Sequence, residues 1–171
     1  MRRTDKVAAV IGVTISVLVS IGLWLGFRGG DALEAEGANS LSMFGVETGD
    51  DVYFPVKTVQ NNSRQIITLL AVVPESPSPG LEFVDAKVYD FHSATRTSKG
   101  KFARDWDPRP HLVGEVSGRQ LVPEQALSDQ ILIHLRVTSD QRPLTVAAVK
   151  VTYRQYGRVH TQTLNTDVEL H

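Results

Sequence analysis

Cysteine is absent from all 171 residues. Disulfide staples, thiolate nucleophiles, cysteine-ligated zinc, iron–sulfur clusters and lipid attachment through a thiol are thereby excluded. A domain exported without disulfides must be held by its core alone, which suits a bacterial envelope better than a eukaryotic cell surface. A basic excess is missing too, with 18 Lys and Arg against 19 Asp and Glu. A nucleic-acid partner would call for a dense basic face, so none is expected.

Catalytic signatures are equally scarce. Gly114-Glu115-Val116-Ser117-Gly118 sets its serine one residue too late for a nucleophile elbow. There is no His-Glu-x-x-His, no P-loop and no calcium loop. The histidines, His92, His111, His134, His160 and His171, are widely spaced. A sheet could gather three of them around a metal, but single strand histidines are usually polar-face residues. No catalytic residue, metal site or cofactor is therefore expected. Strands do not alternate with helices, which disfavours a Rossmann-type nucleotide fold.

One long apolar run is present. Val7–Phe27 holds 21 residues without a charge, and as a helix it would span roughly 30 Å, the hydrocarbon thickness of a bilayer. A cleaved signal usually has an apolar region of only about 7–15 residues. Ala35-Glu36-Gly37 has spacing for a signal peptidase but lies far past the run, so an uncleaved anchor is the reading. Arg2, Arg3 and Lys6 precede the run, while Asp31, Glu34 and Glu36 follow it. The positive-inside bias then puts residues 1–6 in the cytoplasm and residues 28–171 outside the plasma membrane. Gly22-x-x-x-Gly26 would align two small residues on one helix face, a candidate helix–helix contact within the membrane.

Residues 28–51 read as an acidic, glycine-containing tether. Arg28 faces Asp31, Glu34, Glu36, Glu47, Asp50 and Asp51, a net of −5. Such composition favours an extended linker that keeps clear of an anionic membrane face. Within it, Leu41-Ser42-Met43-Phe44 is a candidate short strand docking on the domain.

Residues 52–171 form the folded domain. Val52, Phe54 and Val56 alternate with Tyr53 and Pro55. Ile66–Val73 is a continuous apolar run of strand length, and Phe83–Phe91 and Leu112–Val116 are further candidates. Ile131, Ile133, Leu135 and Val137 alternate with Leu132, His134 and Arg136; Ala147, Val149, Val151 and Tyr153 alternate with Ala148, Lys150, Thr152 and Arg154, and Val159–Leu170 follows. About seven strands with turn-rich joints predict an all-β, immunoglobulin-like antiparallel sandwich. Pro123–Ser128 is the place for a helical turn. The three prolines of Pro74–Gly80 should keep that stretch out of a ladder. Asn61-Asn62-Ser63 is turn chemistry and also matches the glycosylation sequon. Tyr156-Gly157 can make a two-residue hairpin turn, setting Tyr153 opposite His160 and Val151 opposite Gln162.

Several stretches carry a resemblance. Ile67-Thr68-Leu69-Leu70 stands before a proline-rich joint and Gly80-Leu81. Trp106–Pro110 and Ile131–Val137 follow, and Val149-x-Val151-x-Tyr153 precedes Gly157-Arg158. Across most of residues 60–165 the layout resembles uncharacterised single-pass envelope proteins of high-GC Gram-positive bacteria with an immunoglobulin-like outer domain. The resemblance implies a fold and a location, with no activity attached.

A binding surface is expected in residues 92–111, where five cations against Asp105 and Asp107 give +3. Arg96, Lys99, Lys101 and Arg104 there, with Trp106 embedded, suit an anionic envelope polymer or an envelope protein. The expected function is a membrane-anchored, extracytoplasmic, non-catalytic interaction or accessory module. The alternatives are a small hydrolase or metal-dependent enzyme, and an envelope ligand sensor. Six residues before the apolar run leave little room for a cytoplasmic output from such a sensor.

Overall fold

Apolar side chains at every second position favour a chain that buries one face, and strands dominate the computed structural model. It describes residues 31–36, 40–56, 58–90 and 107–171. The apolar run 7–27, including Gly22 and Gly26, lies outside the described residues. Eleven strands occur among the described residues: β1 (Leu33–Glu36), β2 (Leu41–Met43), β3 (Asp51–Pro55), β4 (Thr58–Asn61), β5 (Ile67–Glu75), β6 (Leu81–Tyr89), β7 (Leu112–Glu115), β8 (Gln120–Leu121), β9 (Gln130–Val137), β10 (Leu144–Gln155) and β11 (Arg158–Leu170). A 3-10 turn at Arg109–His111 leads into β7.

These strands make a five-stranded sheet in the order β2-β11-β10-β5-β8, a four-stranded sheet β3-β9-β6-β7 and a two-stranded ribbon β1-β4. Pairing is antiparallel throughout except for β2, which lies parallel to β11. Alternation decides what is buried. Phe54, Ile131, Ile133 and Leu135 from the smaller sheet and Leu69, Val149, Val151 and Tyr153 from the larger are all withdrawn from solvent. At roughly 1.5–3 kcal/mol per large apolar side chain, this burial is the main stabilising contribution.

The hairpin joining β10 and β11 follows the sequence register, with Tyr153 opposite His160 and Val151 opposite Gln162. Tyr156 and Gly157 both take positive φ, 51° and 71°, the requirement of a tight turn matched to strand twist.

Other expectations need correction. The strands exceed seven because β1, β2, β4 and β8 are only two to four residues long; β2 is the short strand expected at Leu41–Phe44 and docks on β11, whereas β1, β4 and β8 are too short for periodicity to show. Two of them lie inside residues 28–51, the expected tether. β1 pairs with β4, and the Gln162 side chain donates to the Leu33 carbonyl and accepts from the Leu33 N–H. Backbone pairing and one amide thus hold a segment whose composition is polar. Ala147 does not share a face with Val149. A bulge between Val146 and Ala148 shifts the frame, so Val146 and Ala148 are buried and Ala147 is exposed. Pro74 does join a ladder, opposite Val149. β8 reaches only Ile67 and Thr68, so β5 has β10 on one side alone at Pro74, where a sheet tolerates proline. Residues 123–128 hold no helix; Glu124 takes a positive φ and Ala126 bridges to Gln60.

Asn61 closes the β4–β5 turn from inside. Its amide nitrogen donates to the carbonyls of Gln65 and Leu121, while its oxygen accepts from the N–H and hydroxyl of Ser63. The side chain is fully buried, so the sequon is spent on folding.

Candidate functional site

The outward face of the four-stranded sheet collects polar side chains that the alternation leaves unburied. Asp51 and Tyr53 project from β3, His134 and Arg136 from β9, Asp85 and Lys87 from β6, and Glu115 from β7. Register places Tyr53 and Asp85 on either side of His134, and Asp51 beside Arg136. A bulge between Phe83 and Asp85 turns Asp85 onto this face.

The Tyr53 ring stacks on the His134 imidazole with centroids 4.3 Å apart and planes 17° from parallel. His134 Nε2 lies 3.2 Å from Asp51 Oδ1, and its Nδ1 lies 3.6 Å from Asp85 Oδ1. Each ring nitrogen therefore faces a carboxylate oxygen. Arg136 Nε donates to Asp51 at 3.1 Å. Lys87 bonds Glu115 and lies 3.8 Å from Asp85.

Charge follows from these contacts. Burial alone would raise the Asp51 carboxyl. Hydrogen bonds and attraction from Arg136 and His134 outweigh it, and the pKa is lowered. Burial raises the Tyr53 phenol, and the Asp51 charge adds to that, so the ring is neutral at pH 7. The hydrogen bond to Glu115 raises Lys87 and keeps it charged. The face is thus a fixed set of paired charges around a stacked aromatic pair.

One edge of this face roots the long stretch between β6 and β7. Tyr89 and Leu132 pack together with Leu112 beside them, and the His111 ring meets Tyr89 edge-on. Pro108 is buried. Arg109 grips Asp107 with two side-chain nitrogens and its own N–H. The Asp90 N–H donates to the His111 carbonyl at 3.0 Å. Asp90 and His111, on the two sides of residues 91–106, are thus held together by backbone. Arg96, Lys99, Lys101, Arg104 and Trp106 all lie outside the described residues. Of the cations in 92–111, Arg109 is described, and its charge is matched by Asp107.

Sequence reading did not single out the Tyr53–His134 pair. Both residues occupy outward positions of their strands, but nothing local says that β3 and β9 are neighbours. All four described histidines lie against an aromatic ring: His134 on Tyr53, His160 on Tyr153, His171 on Phe44 and His111 on Tyr89. Among the described residues, no group of three or more His, Asp or Glu could hold a metal ion, and no helix is long and apolar enough to cross a membrane. No protein-family model and no curated protein matches this chain.

Proposed function

We propose that this protein is a membrane-anchored, non-catalytic interaction module of the cell envelope, and that the β-sheets form an immunoglobulin-like sandwich outside the plasma membrane. The two large sheets each bury one face, and β2 adds in parallel beside the last strand, features that such a sandwich accommodates. The apolar run 7–27 supports the anchor, and the flanking charges support the orientation.

The observation that carries the interaction role is the pinned root at Asp90 and His111. Connections between the strands of a rigid sheet are the usual place for recognition residues. The partner is an anionic envelope polymer or protein met by Arg96, Lys99, Lys101 and Arg104, with Trp106 as the anchor. Polyglycerol phosphate is a direct probe. Serine at the four cations should weaken retention chiefly at low salt, since exposed attraction is screened within about 8–10 Å at physiological ionic strength. Trp106→Ala should weaken it at every salt concentration, by about 2 kcal/mol or more for a hot-spot ring. Unchanged retention in the charge variant, with a lowered melting temperature in Trp106→Ala, would replace the binding role by a packing role.

A further inference from the structure

The tip of the β10–β11 hairpin carries an unusual combination. Tyr156 is 67% exposed, Val159 59% and Ile66 51%. Register sets Arg154 between Thr68 and Val159, and extending it by two residues brings Ile66 level with Tyr156. Arg154, Arg158 and Arg64 are exposed at the same end, and none has an acidic partner within ion-pair distance among the described residues. Of the acids near that end, Glu34 and Glu124 lie along the 61–65 turn, and exposed Asp31 precedes Leu33 by two residues. Glu34 accepts from Asn62, and the Glu124 N–H is bound to the Asn61 carbonyl.

The chain enters the β-unit on this side. Leu33 pairs with Asn61 and is gripped by Gln162. From Gln162 back to Gly157 is five residues of strand, about 17 Å at 3.4 Å each. From Phe27 to Leu33 is six residue steps, at most about 20 Å of extended chain. The two lengths match. A domain tethered at Leu33 can bring its hairpin tip to the headgroup layer with little slack to spare.

We infer that the hairpin tip is a membrane-contact site, in which Tyr156, Ile66 and Val159 enter the interface while Arg64, Arg154 and Arg158 meet anionic lipid headgroups. This rests on the anchored reading above. The chemistry fits the occupant: an amphipathic aromatic ring suits the headgroup level, and arginines near an anionic surface are attracted to it. The site would hold the domain in one orientation and direct its opposite end away from the bilayer.

The absence of cysteine makes single-site labelling direct. The full chain, with Tyr156→Cys or Gln141→Cys carrying a fluorophore, is placed in nanodiscs of phosphatidylcholine with about one-third phosphatidylglycerol and headgroup nitroxide lipids. Gln141 lies beyond Leu144, the far end of β10, which is itself about 40 Å from the tip along the strand. The label at 156 should be quenched several-fold more than the label at 141. Serine at Arg64, Arg154 and Arg158, or pure phosphatidylcholine, should reduce quenching at 156 with melting temperature unchanged. Equal quenching at both sites, in a chain that resists an alkaline wash, overturns the tip alone. Quenching at 156 that ignores both the serines and the lipid charge overturns the choice of anionic lipid. Release of the chain by the alkaline wash overturns the anchor, and the tip proposal falls with it.

Discussion

Replacing Asn61 with alanine should cost about 2–4 kcal/mol, working from the groups it would strand. The amide donates to Leu121 O at 2.8 Å within the core and to Gln65 O at 2.7 Å nearer the surface. An orphaned buried acceptor costs about 1–3 kcal/mol, and a half-buried one less because water can reach it. Loss of the two bonds to Ser63 adds little, since Ser63 is itself partly solvated. Against a total of about 5–15 kcal/mol, this is a large share. Urea unfolding should show it as a midpoint lowered by about 1–2 M, for slopes of about 1–3 kcal/mol per molar. Asn61→Asp is the sharper variant. It keeps the acceptor for Ser63 and the shape, but at pH 7 it turns two donors into a carboxylate facing two carbonyls. It should be at least as destabilising as alanine, and acidification should recover part of the loss. A shift under about 0.5 kcal/mol in Asn61→Ala, or a wild-type midpoint in Asn61→Asp at pH 7, would refute the role of this amide.

The remaining expectations concern the core, a glycine and pH. Ile133→Asp buries an unpaired carboxylate and should cost several kcal/mol, whereas His134→Gln on the opposite face should be far milder; similar urea midpoints would overturn the register of β9. Gly80 has a φ of +101°, and an added Cβ would meet Ser139 Cβ at 2.5 Å, so Gly80→Ala should lose about 1–3 kcal/mol from backbone conformation alone, read by thermal unfolding. Asp51 is held below its unfolded value of 3.8 by Arg136 and His134 against the opposing effect of burial. A depressed carboxyl stabilises above the unfolded pKa, and that contribution is lost as pH falls through the folded one. The gap between wild type and Asp51→Asn should therefore be present at pH 7 and close below about pH 4. It should stay within about 1 kcal/mol because the pair is solvent-screened, and a gap that widens on acidification would contradict the pairing.

Part of this protein was legible in one dimension. Val52, Phe54 and Ile133 advertise strands because a pleated chain buries every second residue, and that periodicity is local. Tyr156-Gly157 sets its own register because turn geometry is decided by adjacent residues. The uncharged run 7–27 is legible for the same reason, as a property of consecutive residues. What the tertiary structure decided is everything that depends on distant partners. β1 and β4 are four-residue strands that exist because they meet, with Gln162 reaching Leu33 across 129 positions. The Val146–Ala148 bulge is set by β10 against β11, so Ala147 could not be placed from its own alternation. His134 reads as an ordinary outward histidine until β3 and β6 arrive on either side with Tyr53, Asp51 and Asp85. Arg64 and Ile66 join Arg154 and Tyr156 only through the pairing of β5 with β10. Alternation tells a residue whether it faces in or out, but strand order, which chooses its neighbours, is a property of the folded sheets.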